Sequence, residues 1–402
     1  MRLSAYWIIL FVGLYAPLGH SESISQSDYR TLQAAQALLA AQQPEKAQKK
    51  LQQWLQQLAK SPSNEYARSL AQITLGRTAL ALQNPQQALA AFKQAYQSQT
   101  QPEAQQQALL MTIAQLQLNL EQWQAGVDSL KQWLKVAPNT HHQANHYYLL
   151  AIGYYHLNDW HSGLDSINTA LTQRANAPLD WYQLGVALAI AKKQWHRSII
   201  WQQKIVSLAP SQMQNWYQLA NLELNAKQPL QALATLRLAW QRHLFAMPDH
   251  YRMLSQLALS EHIPYLAAVV YADGIKKQQL KNNAENLQQL ASLWTSAKQY
   301  PQALKSLDQL ATRYPSNLHY QSYIDMLLAQ KKWQRVMIIH QQANQHGQKS
   351  AALDLSAGIA ATELNQFTKA TALFHLAKRS SLLQSQAKAW LDYVQQIRTT
   401  QG

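Results

Sequence analysis

Histidine is the residue type in this chain whose spacing comes nearest to a catalytic or metal-binding pattern. His142 and His146 stand four residues apart, which on a helix would place two imidazoles on one face, as in a zinc site. The intervening Gln-Ala-Asn lacks the glutamate of a zinc protease, and no third ligand is apparent nearby in sequence. We therefore interpret both as solvated side chains at a helix start, and His156 and His161 as surface residues beside a turn.

Other catalytic patterns are absent from the sequence. The chain has no cysteine, which excludes thiol nucleophiles, disulfides and Cys-ligated zinc. It also has no glycine-rich phosphate loop and no nucleophile elbow. We predict no catalytic, cofactor-binding or metal-binding residue and no cofactor, and we expect a noncatalytic protein. A hydrolase with an apolar helical groove is the alternative, but the helix pairs inferred below leave no room for a catalytic domain.

The composition predicts an all-α protein. Only 11 Gly and 13 Pro occur among 402 residues, too few for the turns of a strand-rich fold. Hydrophobic residues make up 47% of the chain, while charged residues make up only 14%, against about 25% in ordinary soluble domains. Glutamine, about one residue in seven, supplies the missing polarity and is a good helix former.

The N-terminal residues have the pattern of a secretory signal peptide. Arg2 precedes an apolar run over 5–16, and small residues follow, with Gly19 and Ser21 placed for cleavage after residue 21. An uncleaved anchor is the alternative, although the run is shorter than the roughly 20 residues that span a bilayer. We expect residues 1–21 to be removed and the mature chain to be periplasmic, with no membrane span. Because no cysteine follows the run, a lipoprotein is excluded.

The rest of the chain repeats with a period that approaches 34 residues. An aromatic residue followed three later by a small one recurs, as in Trp123 with Gly126 and Trp160 with Gly163. Extending this register places an anchor residue in each of ten units, at steps that shorten from 41 to between 33 and 36. The anchors are Ala47, Ala88, Gly126, Gly163, Ser198, Ala232, Ala267, Ala303, Val336 and Ala370.

This pattern resembles the tetratricopeptide repeat. The segment from Trp181 to Leu188 is similar to the signature of its first helix, and Pro138, Pro210 and Pro315 each follow an anchor by twelve residues, where the second helix of that repeat ends. The resemblance implies an α-solenoid of about ten helix-turn-helix repeats, forming one superhelical domain over 22–402 with a capping helix near 385–398. The predicted repeats are 28–61, 69–102, 107–140, 144–177, 178–212, 213–246, 248–281, 284–316, 317–350 and 351–384.

Repeat five has one residue more than expected between Trp181 and Ser198, which predicts a longer turn between its two helices. First-helix positions 2, 5, 9 and 12 line the concave groove of such arrays, and on this register the groove changes from aromatic to polar along the chain. Exposed tyrosines there would suit peptide capture, whereas the alternative is that they pack against their own second helices. The candidate partner-binding residues are Tyr148, Ile152, Tyr155, Tyr182, Val186, Tyr217, Asn221, Arg252 and Gln256, followed by polar Gln288, Ser292, Gln321 and Asp325.

The positive charge is concentrated in the second half of the chain. The formal net charge is +15, of which +5 falls in residues 1–201 and +10 in residues 202–402. An acidic partner protein, anionic lipid head groups and an anionic wall polymer would each suit such a surface, and a solvated basic surface is the alternative. The cations are spread singly and the chain is expected to be exported, so we do not predict nucleic-acid binding.

A narrower similarity lies in the C-terminal half, in residues 254–259, 263–268, 274–275 and 285–294, and in the tail segment 387–393 that contains Trp390 and Leu391. These segments resemble the periplasmic tetratricopeptide proteins associated with TonB, ExbB and ExbD energy-transduction systems. The resemblance implies a noncatalytic scaffold that binds envelope proteins, such as TonB, ExbB or ExbD components, for uptake of nutrients or iron. The alternative is an adaptor for cell-envelope or exopolysaccharide assembly.

Overall fold

The computed structural model describes residues 24–60 and 64–401, so the predicted signal peptide lies outside the described residues. Within the described part, the regular structure is helical and no strand occurs. Twenty-one α-helices follow one another, and helices one to twenty pack as ten consecutive antiparallel pairs, each pair stacked on the next along the chain within its unit. The predicted fold class, an all-α solenoid of tetratricopeptide-like helix pairs, is confirmed.

The chain divides into two compact units, which meet in sequence at Pro210 and Ser211. The first unit contains five helix pairs and a short 3-10 helix, Asn139–His141, before its fourth pair. Its helices are α1 Gln26–Ala40, α2 Pro44–Leu58, α3 Glu65–Ala81, α4 Pro85–Gln97, α5 Glu103–Asn119, α6 Trp123–Val136, α7 Ala144–His156, α8 Trp160–Gln173, α9 Leu179–Ala191 and α10 Trp195–Leu208.

The second unit contains five further pairs and a terminal helix. Its helices are α11 Met213–Asn225, α12 Pro229–Gln241, α13 Pro248–Ser260, α14 Pro264–Lys276, α15 Ala284–Ser296, α16 Tyr300–Arg313, α17 Asn317–Ala329, α18 Trp333–Gln345, α19 Ala351–Glu363, α20 Phe367–Ala377 and α21 Gln384–Gln401. Helix α21 covers the last pair through Ala387 and Val394, which are 0% and 1% exposed, as expected of a capping helix.

The anchor residues lie in the buried interior of the helix pairs. All ten are buried, and eight of them, including Ser198 and Val336, are 0% exposed. Small residues at these positions let the backbones approach, because a protein interior is packed too densely to admit a larger side chain. The three marker prolines also agree with the structure, since α6, α10 and α16 each end two residues before one.

Glutamine-rich segments form solvent-exposed faces of these helices. In α2, Leu51, Trp54 and Leu58 are at most 3% exposed. The four glutamines between them, at 52, 53, 56 and 57, are all exposed. The helix therefore has one apolar face packed in the core and one polar face, where these glutamines lie with the exposed charged residues Glu45, Lys46 and Lys49, which is the division that helical periodicity predicts.

Every pair uses the same turn between its helices. In the sixth pair, the Lys227 amide donates to Leu224 and the Gln228 amide donates to Glu223, the two hydrogen bonds of a Schellman motif. Lys227 has a φ of 59°, in the left-handed region. A left-handed residue stands five positions before the anchor in all ten pairs: Gln42, Gln83, Glu121, Asn158, Lys193, Lys227, His262, Lys298, Lys331 and Asn365.

The fifth pair follows the same rule, so the prediction of a longer inter-helix turn there is wrong. Lys193 precedes Ser198 by five residues, and α9 begins nineteen residues before that anchor, as do the first helices of the sixth to tenth pairs. The additional residue lies before Leu179, in the connection between α8 and α9. The turn resists insertion because its two hydrogen bonds fix the number of residues between the helices.

Replacing Lys227 by glycine is expected to stabilise the second unit by roughly 0.5–1 kcal/mol. A residue with a Cβ pays about 1–2 kcal/mol in the left-handed region, which exceeds the roughly 0.5–1 kcal/mol of extra backbone entropy that glycine loses on folding. Urea denaturation would measure the change. Lys305→Gly, at an exposed position inside α16, is the control and should instead destabilise by about 1 kcal/mol. Equal effects at both positions would contradict the argument.

Candidate functional site

The first helices of the fourth and fifth pairs carry five of the predicted groove residues, and Tyr148 is a packing residue among them. It is 6% exposed, its ring stacks on Trp181 with centroids 4.6 Å apart, and its hydroxyl donates to Asp180 Oδ2 at 2.8 Å. These contacts join α7 to α9. Tyr148 therefore holds neighbouring pairs together and presents little surface to a partner.

Tyr182 and Val186 are also buried, at 7% and 2% exposed. The reason is the register of α9. Counted back from Ser198, positions 5, 9 and 12 of this helix are Gln183, Ala187 and Ile190, one residue later than the positions counted from Trp181. These three side chains are partly exposed. The accessible face of α9 is thus formed by residues that the sequence register missed.

Ile152 and Tyr155 remain accessible on α7. Both are half-buried. The Tyr155 ring makes edge contacts with His156 at 5.6 Å and Trp160 at 5.7 Å, which fix its orientation while leaving part of it free. In the first unit, then, two of the five predicted groove residues retain surface suited to apolar or aromatic contact.

The second unit presents a more polar first-helix face. Tyr217 is half-buried beside the His250 ring, 5.7 Å away, and Asn221 donates its side-chain amide to the Tyr217 carbonyl. Arg252 and Gln256 are exposed on α13, and Arg252 lies 3.5 Å from Asp249 in an ion pair. All four predicted residues of this unit keep accessible surface.

Polar side chains continue along the later first helices of this unit. Gln288 and Ser292 are exposed on α15. On α17, Gln321 donates to Asp325 Oδ1 at 2.6 Å and to Ser356 Oγ of α19 at 3.0 Å. Partial burial raises the pKa of the Asp325 carboxyl above its usual value. The face therefore offers amide, hydroxyl and carboxyl groups suited to hydrogen bonding with a polypeptide.

The paired histidines are not solvated, so that prediction is wrong. His142 and His146 are half-buried against Trp133 of the preceding pair, with ring centroids 5.7 and 4.4 Å from it. His142 Nε2 lies 3.1 Å from the Ala137 carbonyl, and His146 Nδ1 accepts the Gln143 amide. Burial, followed by the charge of His142, lowers the pKa of His146 to about 4.

The other two histidines are exposed, as predicted. His156 nevertheless stacks on Trp123, with centroids 3.9 Å apart and planes within 4°. His161 lies 3.8 Å from Asp165 on the surface. Across residues 24–60 and 64–401, no group of three or more His, Asp or Glu side chains is placed to hold a metal ion, and no helix is both long and apolar enough to cross a membrane.

A groove between second helices was not anticipated from the sequence. A cavity of about 480 Å³ lies between α8 and α10, with Tyr182 of α9 among its lining residues. We call it the α8–α10 groove; its main lining residues are Leu171, Thr172, Tyr182, Ile200, Trp201 and Lys204. The sequence feature that points to this groove is the stretch from residue 181 to 222, which has no acidic residue and contains four cations.

No protein-family model and no curated protein matches this chain. Many solved structures are similar to it, among them the following three of low identity. A tetratricopeptide repeat protein from Parabacteroides merdae is 15% identical, with 67% of this chain and 99% of that one covered at a TM-score of 0.37. The tetratricopeptide domain of P58(IPK) is 13% identical, with 93% and 99% covered at 0.26. YrrB, described as having an unusual peptide-binding site, is 14% identical, with 51% and 95% covered at 0.37. Because each TM-score is below 0.5, the fold assignment rests on the helix pairs of this chain.

Proposed function

We propose that the chain is a noncatalytic scaffold that binds other proteins through the first-helix faces of its repeats. The observation that carries this proposal is the run of accessible Tyr217, Asn221, Arg252 and Gln256 on α11 and α13. Aromatic and arginine side chains contribute strongly to protein interfaces, and asparagine and glutamine can pair with the backbone of a bound peptide. Helix pairs account for nearly all of the described residues, which favours binding over catalysis.

The scaffold is proposed to act in the periplasm, as an accessory of a TonB-type energy-transduction system for uptake of nutrients or iron through the outer membrane. The signal-peptide pattern of residues 1–21 supports export, and the family similarity of the C-terminal half supports the TonB link. The partners would be envelope proteins, such as the TonB, ExbB or ExbD components.

Site-specific crosslinking in cells tests the binding face. A photo-crosslinking residue replaces Gln256, which is exposed on α13, and the matched control replaces Lys305, which is exposed on the second helix α16. We expect one discrete crosslinked protein from position 256 and none from position 305. Equal products from both positions, or none from position 256, would contradict the proposed face.

The cellular role needs a separate readout. Deletion of the gene is expected to slow growth on chelated iron, and the protein crosslinked at position 256 is expected to be an energy-transduction component. Normal growth together with a partner from another envelope pathway would reject the TonB role, while leaving the scaffold function supported. Fractionation of cells checks export, since a cytoplasmic mature chain would overturn the assigned compartment.

A further inference from the structure

The α8–α10 groove carries a large apolar side chain at its mouth. Ile200 is 62% exposed, whereas Tyr182 and Trp201 at the same groove are 7% and 8% exposed. The lining is mixed, with Leu171, Tyr182 and Trp201 beside polar Asn168, Thr172, Gln203 and Ser207. An exposed aliphatic side chain beside such a cavity loses contact with water when a complementary side chain enters. The groove therefore has the shape and chemistry to take one bulky apolar group.

Cations lie on both sides of that apolar centre along α10. The spacing along α10 places Arg197 and Lys204 on one helix face, with Ile200 and Trp201 between them. The Arg197 guanidinium lies over the Trp201 ring, 5.9 Å from its centroid. Lys204 lines the groove and is exposed, and it forms no ion pair with any described residue.

Acidic groups are missing from this surface. No Asp or Glu lines the groove, and none occurs between Asp180 and Glu223 in the sequence. Asp180 itself accepts the Tyr148 hydroxyl, and Asp165 of α8 lies beside His161. The positive charge of Arg197 and Lys204 is therefore not neutralised by a neighbouring carboxylate.

We propose that the α8–α10 groove is a docking site for a partner protein segment that presents carboxylates on both sides of a bulky apolar side chain. The apolar group would contact Ile200 and Leu171, and the flanking carboxylates would reach Lys204 and Arg197. Opposite charges across such an interface favour the correct partner and its orientation. This surface is formed mainly by second helices, so it is distinct from the first-helix faces of the proposed function.

A labelled helical peptide provides the test. It is built from Glu, Leu and Ala, with each Leu flanked by Glu three residues away on either side. Fluorescence anisotropy with the full mature chain is expected to show binding that weakens as salt is raised. Lys204→Glu is expected to weaken binding about tenfold, and Ile200→Ser by a similar factor, since each removes one element of the match. Neither should unfold the chain, because both side chains are exposed.

The controls separate this site from general basicity. Lys305→Glu makes the same charge change on an exposed helix of the second unit and is expected to leave affinity unchanged. Two further probes are a peptide with Ala in place of Leu and vesicles of phosphatidylglycerol. Each of them should bind Lys204→Glu at least as well as it binds Lys305→Glu. Three results would each overturn the proposal. They are equal losses of peptide affinity in both variants, peptide binding that does not need Leu, and a selective loss of vesicle binding in Lys204→Glu.

Discussion

Acidification from pH 7 to pH 4 is expected to remove about 3 kcal/mol of stability from the first unit through His146 alone. Burial, followed by the charge of His142, lowers the pKa of this histidine from 6.5 to about 4, and its ring packs against Trp133. Between those pH values the unfolded chain takes up a proton that the native state does not, so the free energy of unfolding falls as pH falls. A difference of one pKa unit corresponds to about 1.4 kcal/mol.

Urea denaturation at several pH values between 7 and 4 would measure this effect. Burial also lowers the pKa of His156 and His250, and carboxyl groups titrate near pH 4, so the wild-type slope contains several contributions. The difference between wild type and His146→Gln isolates one of them. His161→Gln is the control: its side chain is 76% exposed, and the substitution should change the slope much less than His146→Gln does. An unaltered slope in His146→Gln would refute the assignment.

Phe374→Ala is expected to destabilise the C-terminal end of the second unit by about 3–5 kcal/mol. The ring is 0% exposed and stacks on Trp390 of the capping helix, with centroids 5.8 Å apart. It also fills the space above Gly358, where a methyl group would lie 2.5 Å from Phe374 Cε1. Truncation leaves a cavity that rigid helices on both sides cannot close, and it removes one of the contacts that join α21 to the last pair.

Hydrogen exchange would locate the loss, and urea denaturation would measure it. Protection in α19, α20 and α21 should fall first, because each pair in an array depends on its immediate neighbours. Leu382→Ala is the matched control: this side chain is 92% exposed in the same region, so its truncation should change stability by less than about 0.5 kcal/mol. Similar effects of the two substitutions would contradict the packing argument.

Features that repeat along the chain could be predicted from the sequence. Each anchor is buried at the same position in its pair, five residues after the left-handed turn residue, and ten instances define the register. Pro138, Pro210 and Pro315 follow the ends of their helices because proline cannot continue a helix interior. Such local rules do not depend on which residues meet across neighbouring pairs.

Features that depend on one contact between pairs could not be predicted. His146 packs against Trp133, which lies thirteen residues upstream on another helix and shares no motif with it. A register counted from Trp181 predicts Tyr182 and Val186 on the accessible face, whereas α9 follows the spacing set by Ser198 and buries both. A one-residue difference rotates a helical position by about 100°, enough to exchange a buried residue for an accessible one.

The left-handed turn residues determine how the surface charge of the repeats can change during evolution. The turn is held by backbone hydrogen bonds, and the ten pairs place Gln, Glu, Asn, Lys or His at its left-handed position. In the first unit these positions include one Lys and one Glu, and in the second they include three Lys and one His. Charge can thus be exchanged at one point in every repeat while helix length and packing stay constant, and selection can change the electrostatic character of either unit without redesigning its core.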